Sequence, residues 1–311
     1  MSMEFHIPIS PTPHFFNSIL ATACSLRELG GGYADATIHV SVGADEEPWN
    51  IAANLPWSKD FPVQWHWIAR DDFCRRSYYA TSTGRYSRGF QSDIVIFLDA
   101  DTLILRQIDD LLAEASRCEM IGGLIAHASP FREKPQRGQH AWWNHLYAGL
   151  NLGPAFMGYE HTGWGLFGEA VQYRLTPAYY NYGMILGTNA VMRELAQVMN
   201  QTVTYCLEQD CGFFSAQVAL ALAIQQVGAP ARPFPFRFNC SNWGIFETKF
   251  SDEIADAGIA HFHSPGGVNR QTDFVSIAAL KEFARKAPMH GVNGRIQSRI
   301  ATLLPLMQDY A

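Results

Sequence analysis

The segment 92–105 contains the feature that most limits what this chain can fold into. Five apolar residues, Ile94 to Leu98, follow one another without a polar interruption and lead directly into Asp99 and Asp101. A short, β-branched apolar run predicts a strand that is buried on both faces, as in a parallel sheet. Because buried carboxylates are costly unless they are paired or bound to a cation, we expect both aspartates at the end of this strand.

The spacing of the two aspartates indicates a metal site. Alternate side chains of an extended segment point the same way, so Asp99 and Asp101 are expected to present two carboxylates to one point. Hard oxygen ligands in this arrangement suit a divalent cation that bridges phosphates. The alternative is a strand-to-turn junction in which the aspartates serve only as turn residues.

Strands and helices alternate along the first hundred residues. The sequence predicts strands at 5–10, 36–42, 64–69 and 93–98, and helical segments at 14–29 and from 73 to a turn at Gly84. This alternation predicts an α/β fold with a mainly parallel central sheet flanked by helices. Ligands of such sheets bind beyond the carboxyl ends of the strands, which is where Asp99 and Asp101 are expected.

The rest of the chain continues without a recognisable linker. The predictions are a helix at 107–118, a strand at 120–126, an irregular aromatic excursion at 129–176, a strand with turns at 179–188, helices at 192–206 and 213–227, an extended connection at 230–235, a short strand at 259–263, and helices at 280–287 and 295–307. We therefore expect a single domain over 1–311, with a nucleotide-binding half to about residue 128 and an acceptor-side half after it.

Composition excludes several classes of protein. With 48% hydrophobic and 17% charged residues the chain is globular, and its net charge of −6 argues against a nucleic-acid partner. Its six cysteines form no Cys-x-x-Cys pair, which argues against a structural zinc site. Without a membrane-length apolar run or a signal peptide, a cytoplasmic location is expected. Basic residues in 281–299 leave open a peripheral membrane contact.

A second motif lies near the C-terminus. His261 and His263 occupy alternate positions of a short apolar strand that leads into Gly266 and Gly267. A neutral imidazole added to two carboxylates makes a ligand set that suits Mn²⁺, and the glycines allow backbone amides to approach a phosphate. Arg270 follows and is expected to reach the same phosphate. Histidines beside a turn are more often surface or core residues, but the aspartates favour the metal interpretation.

Two side-chain amides accompany apolar elements. Asn181 precedes Gly183 at the start of an apolar strand, where it either forms a turn or hydrogen-bonds a substrate hydroxyl. Gln217 lies near the first turn of an apolar helix, where it is either a helix-end residue or part of a site that supplies its hydrogen-bond partner.

Together these motifs resemble those of GT-A fold glycosyltransferases, most closely family 8, which contains glycogenin and bacterial lipooligosaccharide galactosyltransferases. The resemblance rests on segments 98–101, 181–183, 216–217 and 261 onward, in the family's order. It implies a GT-A fold and the transfer of a hexose from a nucleotide-diphosphate sugar, a UDP-sugar, to a hydroxyl of a glycan or other acceptor. It also implies retention of configuration at the anomeric carbon. Homo-oligomerisation is left open.

The resemblance also implies roles for individual residues. Asp99, Asp101 and His261 would hold Mn²⁺ or Mg²⁺, and His263 is left open as a further ligand. Gln217 and Asn181 are the candidate catalytic residues. The candidate donor contacts are Phe15, which would stack on the uracil, Arg85 with Arg88 as second choice, Ala100, Gly266, Gly267 and Arg270.

The chain departs from the family at three points, one of which is that the excursion at 129–176 is longer than the family leads us to expect. Ala216 stands where an aspartate precedes the glutamine, with Asp210 as a candidate replacement, and a Lys-Pro-Trp sequence after the histidine is missing. One alternative is therefore a catalytically silent protein that binds a sugar nucleotide or glycan. Another is a haloacid-dehalogenase-like phosphatase, although Leu103 stands where that family has Thr or Val.

Overall fold

A computed structural model describes residues 1–132, 138–168, 170–264 and 266–310 of the chain. The first part alternates strands and helices. Its elements are β1 (Met3–Ile9), α1 (Pro13–Leu29), α2 (Gly31–Ala34), β2 (Thr37–Val42), α3 (Ile51–Asn54), β3 (Val63–Trp67), α4 (Arg70–Arg76), α5 (Tyr78–Gly84) and β4 (Ile94–Leu98). The four strands lie where the hydrophobic pattern predicts them.

The part after β4 also contains the predicted helices. Its elements are β5 (Thr102–Ile104), α6 (Asp109–Ala115), β6 (Ile121–Ile125), α7 (Gly138–Gly149), β7 (Tyr159–Glu160), β8 (Leu175–Thr176), β9 (Tyr180–Thr188), α8 (Asn189–Glu208), α9 (Ser215–Val227), β10 (Ala231–Pro233), β11 (Cys240–Ser241), α10 (Ser251–Ala255), β12 (Ile259–His261), α11 (Arg270–Asp273), α12 (Ile277–Arg285) and α13 (Gly291–Gln308). Helices α8 and α13 are longer than predicted.

Seven strands form the central sheet, in the order β10-β6-β9-β4-β1-β2-β3. Strand β1 pairs in parallel with β2 and β4, β2 with β3, and β6 with β10. Strand β9 lies antiparallel between β4 and β6, which the sequence pattern did not predict. The α/β class with a mainly parallel sheet is therefore confirmed.

Helices cover both faces of this sheet. On one face, Phe5 of β1 belongs to a core that includes Leu20 of α1 and Ile300 of α13. On the other face, Phe97 of β4 shares a core with Leu222 of α9. All residues of β4 are buried, which explains the unbroken apolar run that precedes Asp99.

Two sequence-based predictions of local structure are wrong. The segment 129–176 is not irregular throughout, because α7 buries Trp143, Leu146 and Tyr147 at the spacing of one helix face. The abundance of glycine, histidine and aromatic residues concealed that periodicity. Residues 133–137 and Glu169 of this segment lie outside the described residues. The turns expected at 179–188 do not form either, since β9 runs through Gly183 without interruption.

A small three-stranded sheet joins the two sequence motifs. Its order is β11-β12-β5, and β12 pairs antiparallel with β5 so that His261 lies opposite Thr102. Because Thr102 directly follows Asp101, this pairing brings the histidine motif beside the aspartates, although the two are far apart in sequence.

Among the described residues, no helix combines the length and the apolar character needed to cross a membrane. The terminal helices are less basic on their surface than their sequence indicates. Arg299 is buried and donates to the Glu28 carboxylate at 2.7 Å, and Lys286 donates to Asp273 at 2.7 Å. Of the basic residues that were expected to contact a membrane, Arg299 is therefore buried and Lys286 is already paired with Asp273.

Candidate functional site

Asp99, Asp101 and His261 converge where β4 ends. One ligand atom from each of the three lies within 4.8 Å of the other two, and Asp101 Oδ1 is 3.3 Å from His261 Nε2. The set of two carboxylates and one imidazole matches the preference of Mn²⁺ for mixed oxygen and nitrogen ligands. The geometry of the described residues therefore fits a divalent cation at this point.

The aspartates converge for a different reason from the one the sequence predicts. They do not continue the extended strand, because the chain turns directly after Leu98. The Thr102 amide donates to Asp99 O at 3.2 Å, and the Thr102 hydroxyl donates to the same oxygen at 2.7 Å. A turn that closes over one carbonyl, rather than strand alternation, places the two carboxylates together.

A chain of hydrogen bonds fixes which nitrogen of His261 faces Asp101. The backbone N–H of Gly183 donates to Asn181 Oδ1 at 2.9 Å, and Asn239 Nδ2 donates to the same oxygen at 2.9 Å. Asn239 Oδ1 then lies 3.1 Å from His261 Nδ1 and can only accept. The Nδ1 of His261 therefore carries a proton, and in the neutral ring, which is the form that binds a cation, the Nε2 lone pair faces Asp101.

This network changes the expected role of Asn181. Its amide oxygen is engaged by Gly183 and Asn239, and Asn181 is not among the described residues that line the cleft beside the carboxylates, so the expected hydrogen bond from Asn181 to a substrate hydroxyl stays a prediction. Asn239, which sequence reasoning missed, contacts His261 directly. Nothing in the sequence around Asn239 distinguishes it, because the contact depends on the parallel pairing of β11 with β12.

Gly183 is required by close packing rather than by a turn. A Cβ atom at this position would lie 2.2 Å from His261 Nδ1 and 2.3 Å from Asn239 Oδ1. Since contacts this short do not occur, any larger residue would displace the imidazole or the amide that orients it.

Two arginines compensate the carboxylates. Arg270 Nη1 lies 3.1 Å from Asp101 Oδ2, and Arg85 Nη1 lies 3.9 Å from Asp99 Oδ1. Arg85 is 1% exposed and donates to the Ser82 carbonyl at 3.0 Å. Because its position is fixed within the chain, Arg85 supports Asp99 and does not line the cleft, whereas it was expected to contact the donor directly.

The ionisation of the ligand residues follows from these neighbours. Burial raises the pKa of the Asp99 carboxyl to about 6, with Asp101 acting in the same direction and Arg85 opposing it. For Asp101, the charges of His261 and Arg270 outweigh burial and hold the pKa below its usual range. For His261, burial is outweighed by Asp101, so the pKa lies above its usual value.

A cleft of about 240 Å³ opens beside the carboxylates. Four further residues singled out from the sequence line it: Phe15, Ala100, Gln217 and Arg270. The guanidinium carbon of Arg270 lies 4.5 Å from the centroid of the Phe15 ring. An aromatic face, a cation and the carboxylates are therefore adjacent along one wall.

Gly266 and Gly267 are not among the described residues that line the cleft. Asn293 holds their turn, donating to the Gly266 carbonyl at 3.2 Å and accepting from the Val268 amide at 3.3 Å. Pro265 of the same motif lies outside the described residues. The turn contacts Asn293 at close range, and its expected contact with a phosphate stays a prediction.

Three further residues from the sequence analysis can be placed relative to the ligand cluster and the cleft. His263 lies outside the three-residue ligand cluster, with its Nε2 2.9 Å from the Ser241 hydroxyl. Ala216 lines the cleft beside Gln217, whereas Asp210 is not among its described lining residues. Three cleft aromatics, Tyr78, Tyr182 and Phe213, were not singled out from the sequence because nothing in their spacing marks them.

No family model and no curated protein sequence matches this chain. Solved structures do match. The galactosyltransferase LgtC, solved with donor and acceptor sugar analogs, gives a TM-score of 0.53 at 12% identity, covering 96% of this chain and 100% of LgtC. The bifunctional glycosyltransferase WbbM gives 0.52 at 13% identity, covering 97% of this chain and 51% of that one. The glycosyltransferase GlyE of Streptococcus pneumoniae TIGR4 gives 0.50 at 10% identity, covering 99% and 63%.

At identities of 10%, 12% and 13%, the similarity to these structures shows the fold alone. The chain has the GT-A fold that the sequence motifs implied. The phosphatase alternative rested only on the aspartate pair, and the fold gives it no support.

Proposed function

We propose that this protein is a metal-dependent glycosyltransferase, a divergent relative of family 8, that moves a hexose from a UDP-sugar to an acceptor hydroxyl. The observation that carries the proposal is the convergence of Asp99, Asp101 and His261 on a cleft that Gln217 also lines. A diphosphate held at the carboxylates would place its sugar further along the same cleft.

The three ligand residues would hold Mn²⁺ or Mg²⁺, which supplies Lewis-acid neutralisation of the departing diphosphate. Arg270 is placed to add to this stabilisation because its guanidinium already lies beside Asp101 and has donors that match a phosphate. The ring of Phe15, on which Arg270 packs, is the proposed stacking surface for the uracil.

Retention of configuration is proposed to proceed without a covalent sugar–enzyme intermediate. Among the described lining residues, Asp99 and Asp101 are the only carboxylates, and both belong to the metal set. The side-chain amide of Gln217 would then stabilise the sugar cation, and Asn181 would act mainly by positioning His261 through Asn239. Because Ala216 stands where the family has an aspartate, a catalytically silent sugar-nucleotide-binding protein is the second candidate function. Cytoplasmic location, peripheral membrane contact and oligomeric state stay predictions from the sequence.

The test is a thermal-shift screen with UDP, UDP-glucose and UDP-galactose, each with and without Mn²⁺, followed by an assay for UDP release. We expect a shift that requires both the metal and the nucleotide, and release of UDP from at least one sugar donor. Asp101→Asn should abolish the metal-dependent shift and lower release by about a thousandfold, because one ligand of the neutralising cation is lost.

The matched control is Asp45→Asn, which removes an exposed carboxylate that does not line the cleft. This variant should behave as the unsubstituted chain does. Full activity of Asp101→Asn would contradict the metal role. Metal-dependent binding without any UDP release would instead favour the silent binding protein.

A further inference from the structure

A second group of ligand-type side chains lies on the central sheet, away from the cleft. Glu4 and His6 occupy alternate positions of β1, and His39 of β2 lies directly opposite His6. The His6 and His39 rings stack with centroids 4.6 Å apart, and His66 of β3 stacks on His39 at 5.3 Å. The four side chains therefore form one row across three neighbouring strands.

The burial of this row is unusual for its chemistry. Glu4 is 1% exposed and His6 is fully buried, and ionisable side chains inside proteins are normally paired, as these two are with each other, or bound to a metal. Burial lowers the pKa of His39 and of His66 to about 4, so both imidazoles are neutral at physiological pH. Neutral imidazole is the form that coordinates metals.

The distances within the row suit a shared cation. Glu4 Oε1 lies 3.0 Å from His6 Nε2, and Glu4 Oε2 lies 3.9 Å from His39 Nε2. Two ligands about 2.1 Å from a tetrahedral ion are roughly 3.4 Å apart, between these two values. The longer separation is too great for a hydrogen bond, yet the three residues each offer a ligand atom within 4.8 Å of the others.

Neighbouring groups orient the row as the outer contacts of a metal site do. Glu4 Oε2 accepts the backbone N–H groups of Gln91 and Ser92, both at 3.1 Å. His39 Nδ1 lies 3.1 Å from His66 Nε2. When His39 donates through Nδ1 to His66, its Nε2 lone pair is left facing Glu4.

We propose that Glu4, His6 and His39 form a second metal site, specific for a zinc-like divalent cation and distinct from the Asp99, Asp101 and His261 centre. Neutral imidazole nitrogens with one carboxylate are a zinc-type ligand set, and none of the three residues lines the cleft. His6 is neutral and carries one ring proton, so coordination through Nε2 requires that this proton move from Nε2, where it is shared with Glu4, to Nδ1, with no net release of a proton. The three side chains would leave the fourth position of a tetrahedral ion to a water molecule, and the bound ion would tie β1 and β2 to the Gln91–Ser92 backbone through Glu4.

Two nearby charges oppose binding: Arg85, which acts on His6 alone among the three histidines, and Arg88, which acts on all of them. Arg88 lies close enough for its positive charge to lower the pKa of His6, His39 and His66. Its guanidinium donates to the Trp67 carbonyl at 3.4 Å. Removing this charge with Arg88→Gln should therefore strengthen binding at the second site.

The test uses the full-length, metal-stripped chain and Co²⁺ as a visible probe for Zn²⁺. The unsubstituted chain should bind two equivalents, and an Asp99→Asn, Asp101→Asn double variant should bind one, with a tetrahedral absorption band that Zn²⁺ displaces. Adding His39→Gln to the double variant should weaken binding at least tenfold. His39 is chosen because its side chain is 12% exposed, so its replacement disturbs the core least.

The matched control is His145→Gln, which removes a histidine near the surface whose ring nitrogen pairs with Gln209. It should leave Co²⁺ binding unchanged. The proposal is overturned if the double variant binds no Co²⁺ or Zn²⁺, or if His39→Gln binds as tightly as its parent. Should a variant fail to fold, X-ray absorption of the zinc-loaded unsubstituted chain decides: a zinc population with two imidazole ligands supports the site, and one-imidazole coordination alone refutes it.

Discussion

The two ends of the cleft differ in how firmly the chain holds its functional groups. At the metal end, Arg85 and Arg270 lie beside the two aspartates, and Asn239 orients His261. At the sugar end, the side chain of Gln217 makes no hydrogen bond to any described residue. The metal end is therefore organised before a ligand arrives, whereas the amide at the sugar end is left to bond with the substrate.

Among variants of residues that do not themselves bind the metal, the largest effect is expected from Gly183→Ala, which disturbs the organisation of the metal end directly. The new methyl group would overlap His261 Nδ1 and Asn239 Oδ1 at 2.2 and 2.3 Å. Overpacking of this kind costs about 1–3 kcal/mol of unfolding free energy. We expect displacement of the imidazole to weaken Mn²⁺ binding by at least about a hundredfold, measured by Mn²⁺ titration alongside denaturant unfolding.

The control for this prediction is Gly153→Ala, because a Cβ at Gly153 meets no atom within 4 Å. It should leave Mn²⁺ affinity unchanged. If Gly183→Ala binds Mn²⁺ as tightly as Gly153→Ala does, the packing of Gly183 does not position the ligand histidine.

The second prediction tests whether the sugar end of the cleft acts independently of the metal end. Gln217→Ala should lower kcat by about a hundredfold, since it removes a dipole that stabilises the sugar cation. Affinity for UDP with Mn²⁺ should stay within about twofold, because the nucleotide and metal contacts lie at the other end of the cleft. Steady-state kinetics and UDP calorimetry measure the two quantities. A parallel loss of UDP affinity would show that the ends are not separable.

The same contrast explains what the sequence could predict. The apolar run of β4 identified the strand end at Asp99 because a strand that is buried on both faces leaves an unbroken apolar run, which stops at the first carboxylate. His261 could be linked to Asp99 from the sequence only because the motifs follow one another in the order found in the family. The β5–β12 pairing that brings the two residues together joins segments far apart in sequence. The contact between Asn239 and His261 and the close packing of Gly183 against both residues could not be predicted, since they depend on the three-dimensional packing of the chain. Helix α7 was missed because its glycines and aromatics obscure a helical period.

The third prediction concerns Asn239, which contacts the metal ligand but not the metal. Asn239→Ala should weaken Mn²⁺ binding by about 10- to 100-fold, the usual cost of losing the partner of a ligand histidine. Asn239→Asp should restore part of this affinity, because a carboxylate also accepts the His261 Nδ1 proton. Equal losses in the two variants would contradict an orienting hydrogen bond and indicate that Asn239 acts through packing alone.

The smallest effect is expected from a change of pH, which should alter metal binding at the metal end of the cleft but not the contribution of Gln217 at the sugar end. The pKa of Asp99 is raised to about 6, and that of His261 lies above its usual value, so both ligands take up protons as the pH falls through their raised pKa values. A protonated ligand cannot bind a cation, so Mn²⁺ affinity should fall by up to about tenfold per pH unit for each protonated ligand as the pH falls below about 6, and should rise towards a plateau as the pH increases. The Gln217 amide does not titrate, so the fractional loss of kcat caused by Gln217→Ala, at saturating metal and donor, should be the same at pH 6 and pH 7.5. Mn²⁺ titrations between pH 5 and 7.5 measure the first effect. A flat affinity across that range would mean that neither ligand binds Mn²⁺ in competition with a proton.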